Sequence, residues 1–263
     1  MLKFCSLFSG SSGNSLFVTD GDTRVLVDAG MSGKKIIEAV KGIGEEPEKI
    51  SAVCVTHEHN DHIKGAGILS RMFDIPIFAN EKTWLASEDK LGKIEPKNRR
   101  IFVTSEKFSI NEMCVNTFDI PHDASEPVGF NFFSRDKKLT IATDLGHVNK
   151  YIYENITGSD FVLLESNHDV EMVRIGHYPW YLKQRILSDK GHLSNELAGK
   201  LILRLVKDGM FKFSLGHLSK DNNFPELAFQ TVSNVLERNG VKVGKDVCLD
   251  VVTRDRAGQF ICI

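Results

Sequence analysis

The stretch Thr56-His57-Glu58-His59-Asn60-Asp61-His62 follows an apolar run, SAVCV, at 51–55. Three histidines and one free carboxylate fall within six positions there. Neutral imidazole and carboxylate oxygen are the usual nitrogen and oxygen donors to zinc and related divalent ions. A strand that ran on through His57 and His59 would present both rings to one side. Asp61 and His62 would then follow in a turn ahead of a helix at Ile63. Such an arrangement lets one ion take His57 and His59 and a second take Asp61 and His62. A polar turn with incidental histidines is the plain alternative, and the density of donors stands against it. Glu58, between ligands, is expected to face away.

Outward from this cluster the chain alternates strand-like and helical runs. KFCSLF and SLFVTD read as a hairpin around the Gly/Ser-rich turn SGSSGN. TRVLVDAG is a strand ending at Asp28, and SGKKIIEAVKGIG has helical spacing closed by glycine. IKGAGILSRMF reads as one helix. A strand-rich middle follows, through VGFNFFS and KLTIATD. Ser194-Asn195 offers an N-cap to ELAGKLILRLVKDG, with Leu197, Leu201, Ile202 and Leu205 on one stripe. VCLDVV and FICI read as a closing hairpin. No repeat or linker divides residues 1–263, which read as a single domain of layered α/β type.

Composition bounds the function. Of 263 residues 41% are hydrophobic, enough for a large core. The formal net charge is −2, from 33 basic and 35 acidic residues. That balance weighs against tight non-specific DNA binding and leaves room for a local basic groove. No apolar run reaches the roughly 20 residues of a membrane span, and no signal-peptide layout opens the chain. The five cysteines (Cys5, Cys54, Cys114, Cys248, Cys262) form no CxxC pair. They read as reduced, buried thiols of a cytoplasmic protein.

The pattern HxHxDH after a buried strand resembles the metallo-β-lactamase fold superfamily, and the rest of the chain is similar to that family from end to end. The resemblance implies an αβ/βα four-layer sandwich, two mixed β-sheets flanked by helices, with metals at one edge. It implies further site residues. Asp28 would orient the histidines by hydrogen bonding, His122 in IPHD would complete the first metal's ligands, and Asp144 in ATDLG would bridge two metals. The tetrapeptide Gly-His-Leu-Ser occurs twice, at 191–194 and 216–219. His217, after the strand-like MFKFSLG, resembles the ligand of the second metal. His192, ahead of an N-capped helix, resembles the histidine of RNase Z-like phosphodiesterases that touches the scissile phosphate or protonates the leaving oxygen. The swapped assignment, with His192 as ligand, stays open.

Within the superfamily, SGSSGNS near the N-terminus, THEHNDH, His122-Asp123-Ala124 with PVGF, Glu165-Ser166-Asn167 and the doubled GHLS resemble the YycJ (WalJ) group. That group implies a metal-dependent DNA exonuclease acting from the 5′ end and linked to mismatch repair. It uses a hydroxide activated by two divalent ions, zinc or manganese. The catalytic residues would be His192, Asp61 and Asp144. The interval from Asp144 to His217 leaves no room for the β-CASP insert of RNase J-type enzymes. Substrate contacts are expected from Ser11, Ser12 and Asn14 of the Gly/Ser loop and from Lys183 and Arg185. Other basic residues that could line a DNA path are Lys34, Lys35, Lys97, Arg99, Arg100, Lys137 and Lys138. Tyr178, Trp180 and Tyr181 could stack bases, although such residues more often pack the core. Expected partners are DNA and, through the resemblance, repair proteins. A small-molecule phosphodiesterase of the same fold, and a non-catalytic metal-bound regulator, remain as rival functions.

Overall fold

The structure is a computed structural model describing residues 1–263. The first half runs β1 (Lys3–Phe8), β2 (Ser15–Thr19), β3 (Arg24–Val27), α1 (Gly33–Gly42), β4 (Ala52–Cys54), α2 (Asn60–Ile63), α3 (Ala66–Phe73), β5 (Ile77–Ala79), α4 (Glu81–Leu91) and β6 (Arg99–Ile101). The second half begins with β7 (Lys107–Ile110), β8 (Met113–Asp119), β9 (Val128–Ser134), β10 (Lys137–Ala142), α5 (Lys150–Ile156) and β11 (Phe161–Glu165). Helices α6 (Val170–Ile175), α7 (Trp180–Ile186) and α8 (Asn195–Lys207) follow. The chain closes with β12 (Lys212–Gly216), α9 (Pro225–Glu237), β13 (Cys248–Val251) and β14 (Ile261–Cys262).

Two seven-stranded sheets form, ordered β14-β1-β2-β3-β4-β5-β6 and β13-β12-β11-β10-β9-β8-β7. Each is mixed in the same way. In the first, β14 to β3 pair antiparallel and β3 to β6 parallel. In the second, β7 to β10 pair antiparallel and β10 to β13 parallel. The halves therefore share a topology with no sequence repeat to announce it. Asp28 after β3 and Asp144 after β10 hold matching places, each past the last strand before the parallel run.

Buried on both faces, the central strands are near-continuous apolar runs, as parallel strands under helices must be. In β11, Phe161 and Leu163 face the other sheet while Val162 and Leu164 face the helices, and all four are fully buried. The inter-sheet core includes Phe4, Phe130, Phe132 and Phe161. Outside the first sheet α1, α3 and α4 supply Ile36, Leu69 and Trp84. Outside the second, α5, α8 and α9 supply Ile152, Ile202 and Val232. This is the αβ/βα four-layer sandwich.

Four expectations need correction. The terminal strands make no hairpin: β13 adds parallel to β12 in one sheet and β14 adds antiparallel to β1 in the other. Each caps an open edge, a pairing that local alternation does not specify. The helix expected over 63–73 is broken into α2 and α3 at Gly65, where a Cβ would stand 2.4 Å from the Met31 carbonyl oxygen. Leu197 lies off the buried stripe of α8 and is exposed, whereas Leu201, Ile202 and Leu205 are buried. Only Cys5 and Cys54 are buried; Cys248 and Cys262 are exposed on edge strands, and all five are free.

Candidate metal centre

Strand β4 ends at Cys54, so His57 and His59 lie in a loop rather than on a strand. They converge nonetheless, with His57 Nε2 3.0 Å from His59 Nδ1. His59 N-caps α2 by backbone position, and Asp61 and His62 fall in its first turn. Glu58 turns the other way, where its Oε1 accepts from the Ser125 N–H at 2.9 Å and hydroxyl at 2.8 Å. Gly30 makes the crossing possible: a Cβ there would meet the Asp61 carbonyl oxygen at 1.6 Å.

Four overlapping sets of donor atoms result, each gathered within 4.8 Å. His57, His62 and Asp144 form one and Asp144, Glu165, His192 and His217 another; the remaining two are His57, His59 and His122, and Asp61, His62 and His217. Asp144 stands between these last two. Its Oδ1 is 3.1 Å from His217 Nε2 and 3.8 Å from His122 Nε2, and its Oδ2 is 3.5 Å from His62 Nε2. Outer partners fix the rings. Asp28 accepts from the Thr56 N–H at 2.8 Å, the Thr56 hydroxyl at 2.9 Å and His62 Nδ1 at 2.7 Å, which leaves His62 Nε2 for the site. His122 Nδ1 lies 3.2 Å from the Gly191 carbonyl oxygen. Asp28, Asp144 and His217 all adopt left-handed backbone, at φ 62°, 59° and 55°. Non-glycine residues carry strain there, and three of the chain's seven such residues fall at strand ends around this cluster.

The electrostatics suit cations. Burial, with neighbouring imidazoles, holds His57 well below its ordinary pKa and His59 below it; burial lowers His217 as well. Such rings are neutral donors. Burial opposes charge on His62, but Asp144 and Asp28 outweigh it and raise its pKa well above the usual value. Burial likewise opposes the Asp144 carboxylate, yet His217, His62, His57 and His122 hold its pKa well below the carboxylate range. Asp144 Oδ2 is buried without a hydrogen-bond partner. A buried carboxylate oxygen left so is costly, and nitrogen and oxygen donors without thiolate fit a hard or borderline divalent ion.

The two GHLS copies meet at this centre through Asn167. Its N–H donates to the Leu193 carbonyl at 2.8 Å, its carbonyl accepts from the Ser219 N–H at 2.8 Å, and its Nδ2 donates to the His217 carbonyl at 2.9 Å. His192 belongs to the set with Asp144, Glu165 and His217, is 20% exposed at its side chain, and has Nδ1 2.8 Å from Glu165 Oε1. Glu165, fully buried at the end of β11, also accepts the Leu145 and Leu193 N–H groups at 3.0 Å each. Burial disfavours the His192 charge, but Glu165 and Asp144 overcome it and raise its pKa to about 9. Glu165 and Asn167 were not among the expected site residues. The available hints were the Glu165-Ser166-Asn167 stretch, which carried part of the group resemblance without a role, and a carboxylate closing an otherwise apolar strand.

The expected substrate contacts divide. Ser11 and Arg185 line a cavity of about 150 Å³ together with Asp123, Tyr178 and His192. Ser12 is exposed at the loop tip. Asn14 is buried, 3.0 Å from His62 Nε2 and 3.1 Å from His217 Nδ1, so it braces the histidines rather than facing substrate. Lys183 turns its ammonium to the Arg174 carbonyl at 2.8 Å, away from that cavity. Arg185 pairs with Asp123. Lys97, Arg99 and Lys137 are tied to Asp74, Glu88 and Asp160. Trp180 and Tyr181, read as able to stack bases or to pack the core, are each 72% exposed, on a helix that packs chiefly through Ile186.

The profile of the metallo-beta-lactamase superfamily matches residues 9–177. The chain belongs to this superfamily, in its WalJ/YycJ group. It is 42% identical to "Exodeoxyribonuclease WalJ" of Streptococcus pneumoniae serotype 2 over 246 residues, 93% of this chain and 91% of that one. It is 43% identical to "Exodeoxyribonuclease YycJ" of Bacillus anthracis over 244 residues, 93% and 92% of the two chains. Among solved structures, Zn(2+)-bound PqqB from Methylobacterium extorquens superposes with a TM-score of 0.72 at 16% identity, covering 99% of this chain and 100% of that one. That likeness shows the shared fold. No helix is long and apolar enough to cross a membrane.

Proposed function

We propose that the chain is a metal-dependent phosphodiesterase of one domain, residues 1–263, working as a DNA exonuclease with two divalent ions, zinc or manganese. Its carrying observation is the pair of donor sets flanking Asp144 with a Glu165-held His192 beside them. His57, His59 and His122 would hold one ion, Asp61, His62 and His217 the other, and Asp144 both. Bound there, the ions would lower the pKa of a water and clamp phosphoryl oxygens for in-line attack. Asp28, Thr56 and Asn14 keep the ligand rings in register. His192 holds Nδ1–H on Glu165 and offers Nε2–H to the departing oxygen, as general acid. Arg185 and Tyr178 border the cavity on that side. A non-catalytic metal protein would close its coordination and need no such acid.

The names of the two relatives support DNA as substrate. A 5′→3′ direction, mismatch-repair partners and a cytoplasmic setting rest on the group resemblance, with the five free cysteines supporting a reducing compartment. The rival, a small phosphodiester as substrate, is favoured by the modest size of the cavity beside His192. A time course with end-labelled single-stranded and duplex DNA, with manganese or zinc, separates them. Progressive shortening by wild type and not by His192→Ala is expected. Intact DNA with hydrolysis of bis-p-nitrophenyl phosphate would move the assignment to the small substrate.

A further inference from the structure

A second, larger cavity of about 510 Å³ adjoins the first. Ser219 lines both, so the tail of the second GHLS copy is their common wall. The new cavity carries Lys220, Arg254 and Arg256 against a single acid, Asp255, with Thr253 and Phe224 at its sides. Phe224 is 47% exposed and stands at the N-terminus of α9.

Its walls are laced to the candidate metal centre by backbone and side-chain contacts. The His217 N–H donates to Ser9 Oγ at 2.8 Å, and the Ser9 N–H donates to the Arg254 carbonyl at 3.2 Å. Gly10 bridges to Leu218, and the Arg254 stem lies across Gly10, where a Cβ would meet its Cγ at 2.7 Å. The Arg254 guanidinium meets Asp255 at 3.1 Å, while the Thr253 hydroxyl donates to the Arg256 carbonyl. Lys220 and Arg256 are exposed.

We propose that this cavity is a binding subsite for the polynucleotide strand beyond the scissile phosphate, with Lys220, Arg254 and Arg256 taking backbone phosphate and Phe224 stacking a base. The inference rests on the nuclease reading above and extends it to substrate length. Two features favour a nucleic acid strand over a free small phosphate. The cavity is several times larger than the one beside His192. It also joins cations to an exposed aromatic face, the combination that tracks single strands without reading sequence. Net charge −2 spread over the whole chain makes a local cluster of three cations the more telling.

The test is equilibrium binding of a fluorescent single-stranded oligonucleotide, about twelve nucleotides long, to metal-loaded His192→Ala protein, which does not consume the probe. Adding Lys220→Ala and Arg256→Ala should weaken binding about tenfold and lower the slope of log affinity against log salt by about 1.4, two phosphate contacts fewer. Lys220→Arg with Arg256→Lys should restore most of both. Arg254 is left intact because its stem packs on Gly10; Phe224→Ala supplies an independent arm with weaker binding at unchanged salt slope. Unchanged affinity and slope in all variants would overturn the subsite, as would absence of binding by the His192→Ala parent. Should wild type bind the probe but never shorten it, while the variants bind weakly, the nuclease reading falls and the subsite stands. Should wild type shorten the probe while the variants bind as tightly as the parent, the subsite falls and the nuclease reading stands.

Discussion

The two Gly-His-Leu-Ser copies share four letters and differ in everything their surroundings decide. In the second, Gly216 is the last residue of β12, and His217 turns through φ 55° directly off the strand. Its ring is buried, faces Asp144 at 3.1 Å and has its pKa lowered by burial. In the first, Gly191 closes the turn after α7, where a Cβ would meet the Ile186 carbonyl oxygen at 2.2 Å. His192 keeps a partly open face, and Glu165 raises its pKa to about 9. In the proposed function the inward His217 is the metal ligand and the partly open His192, held by Glu165, is the acid. Asn167 holds both copies in one register, so the division of labour proposed for them follows from position on the fold and not from the tetrapeptide.

Substitutions sharpen that contrast. Asp144→Ala removes the carboxylate that stands between the His57, His59, His122 set and the Asp61, His62, His217 set. It should cost at least about a thousandfold in turnover, with loss of at least one equivalent of metal in elemental analysis. Retention of both ions would break the bridging assignment. Glu165→Gln should cost about 10²-fold or more, within the range of general acid catalysis. Glu165 raises the His192 pKa, so the acid form is lost as pH rises. Without the carboxylate, the alkaline fall in kcat should move to lower pH, while metal content stays whole. An unmoved alkaline limb would separate Glu165 from the acid. Asp28→Ala should weaken metal affinity by about 10- to 100-fold through misorientation of His62, read by competition with a chelator; unchanged affinity would deny it that role. Arg185→Ala should act least. A modest rise in KM with kcat held would fit a residue that borders the cavity and is already paired with Asp123.

Much of the centre was legible because its donors are local. Five of them, Asp28 included, sit at or just past the ends of β3 and β4, where an apolar run gives way to polar residues. His122, Asp144 and His217 could be read only through the family resemblance, since nothing in a lone strand-end histidine tells where its strand will pair. Glu165 and Asn167 escaped for the same reason. Their roles arise from β11 lying parallel between β10 and β12, a long-range pairing that brings residues 145, 193, 217 and 219 to one strand end. Edge strands were misread because alternation shows that a segment is extended, not which sheet it joins. The basic side chains expected to guide DNA were chosen by type, and most are spent on surface ion pairs. Lys220, Arg254 and Arg256, which share a cavity wall with the site, come together only through folding.

The central claim is the division of roles between His192 and His217, and elemental analysis of the two alanine variants tests it most directly. His192→Ala should retain both divalent ions while losing about 10² to 10⁴ in turnover on a phosphodiester. His217→Ala should lose one ion. Loss of metal from His192→Ala with full occupancy in His217→Ala would exchange the two assignments and contradict the account.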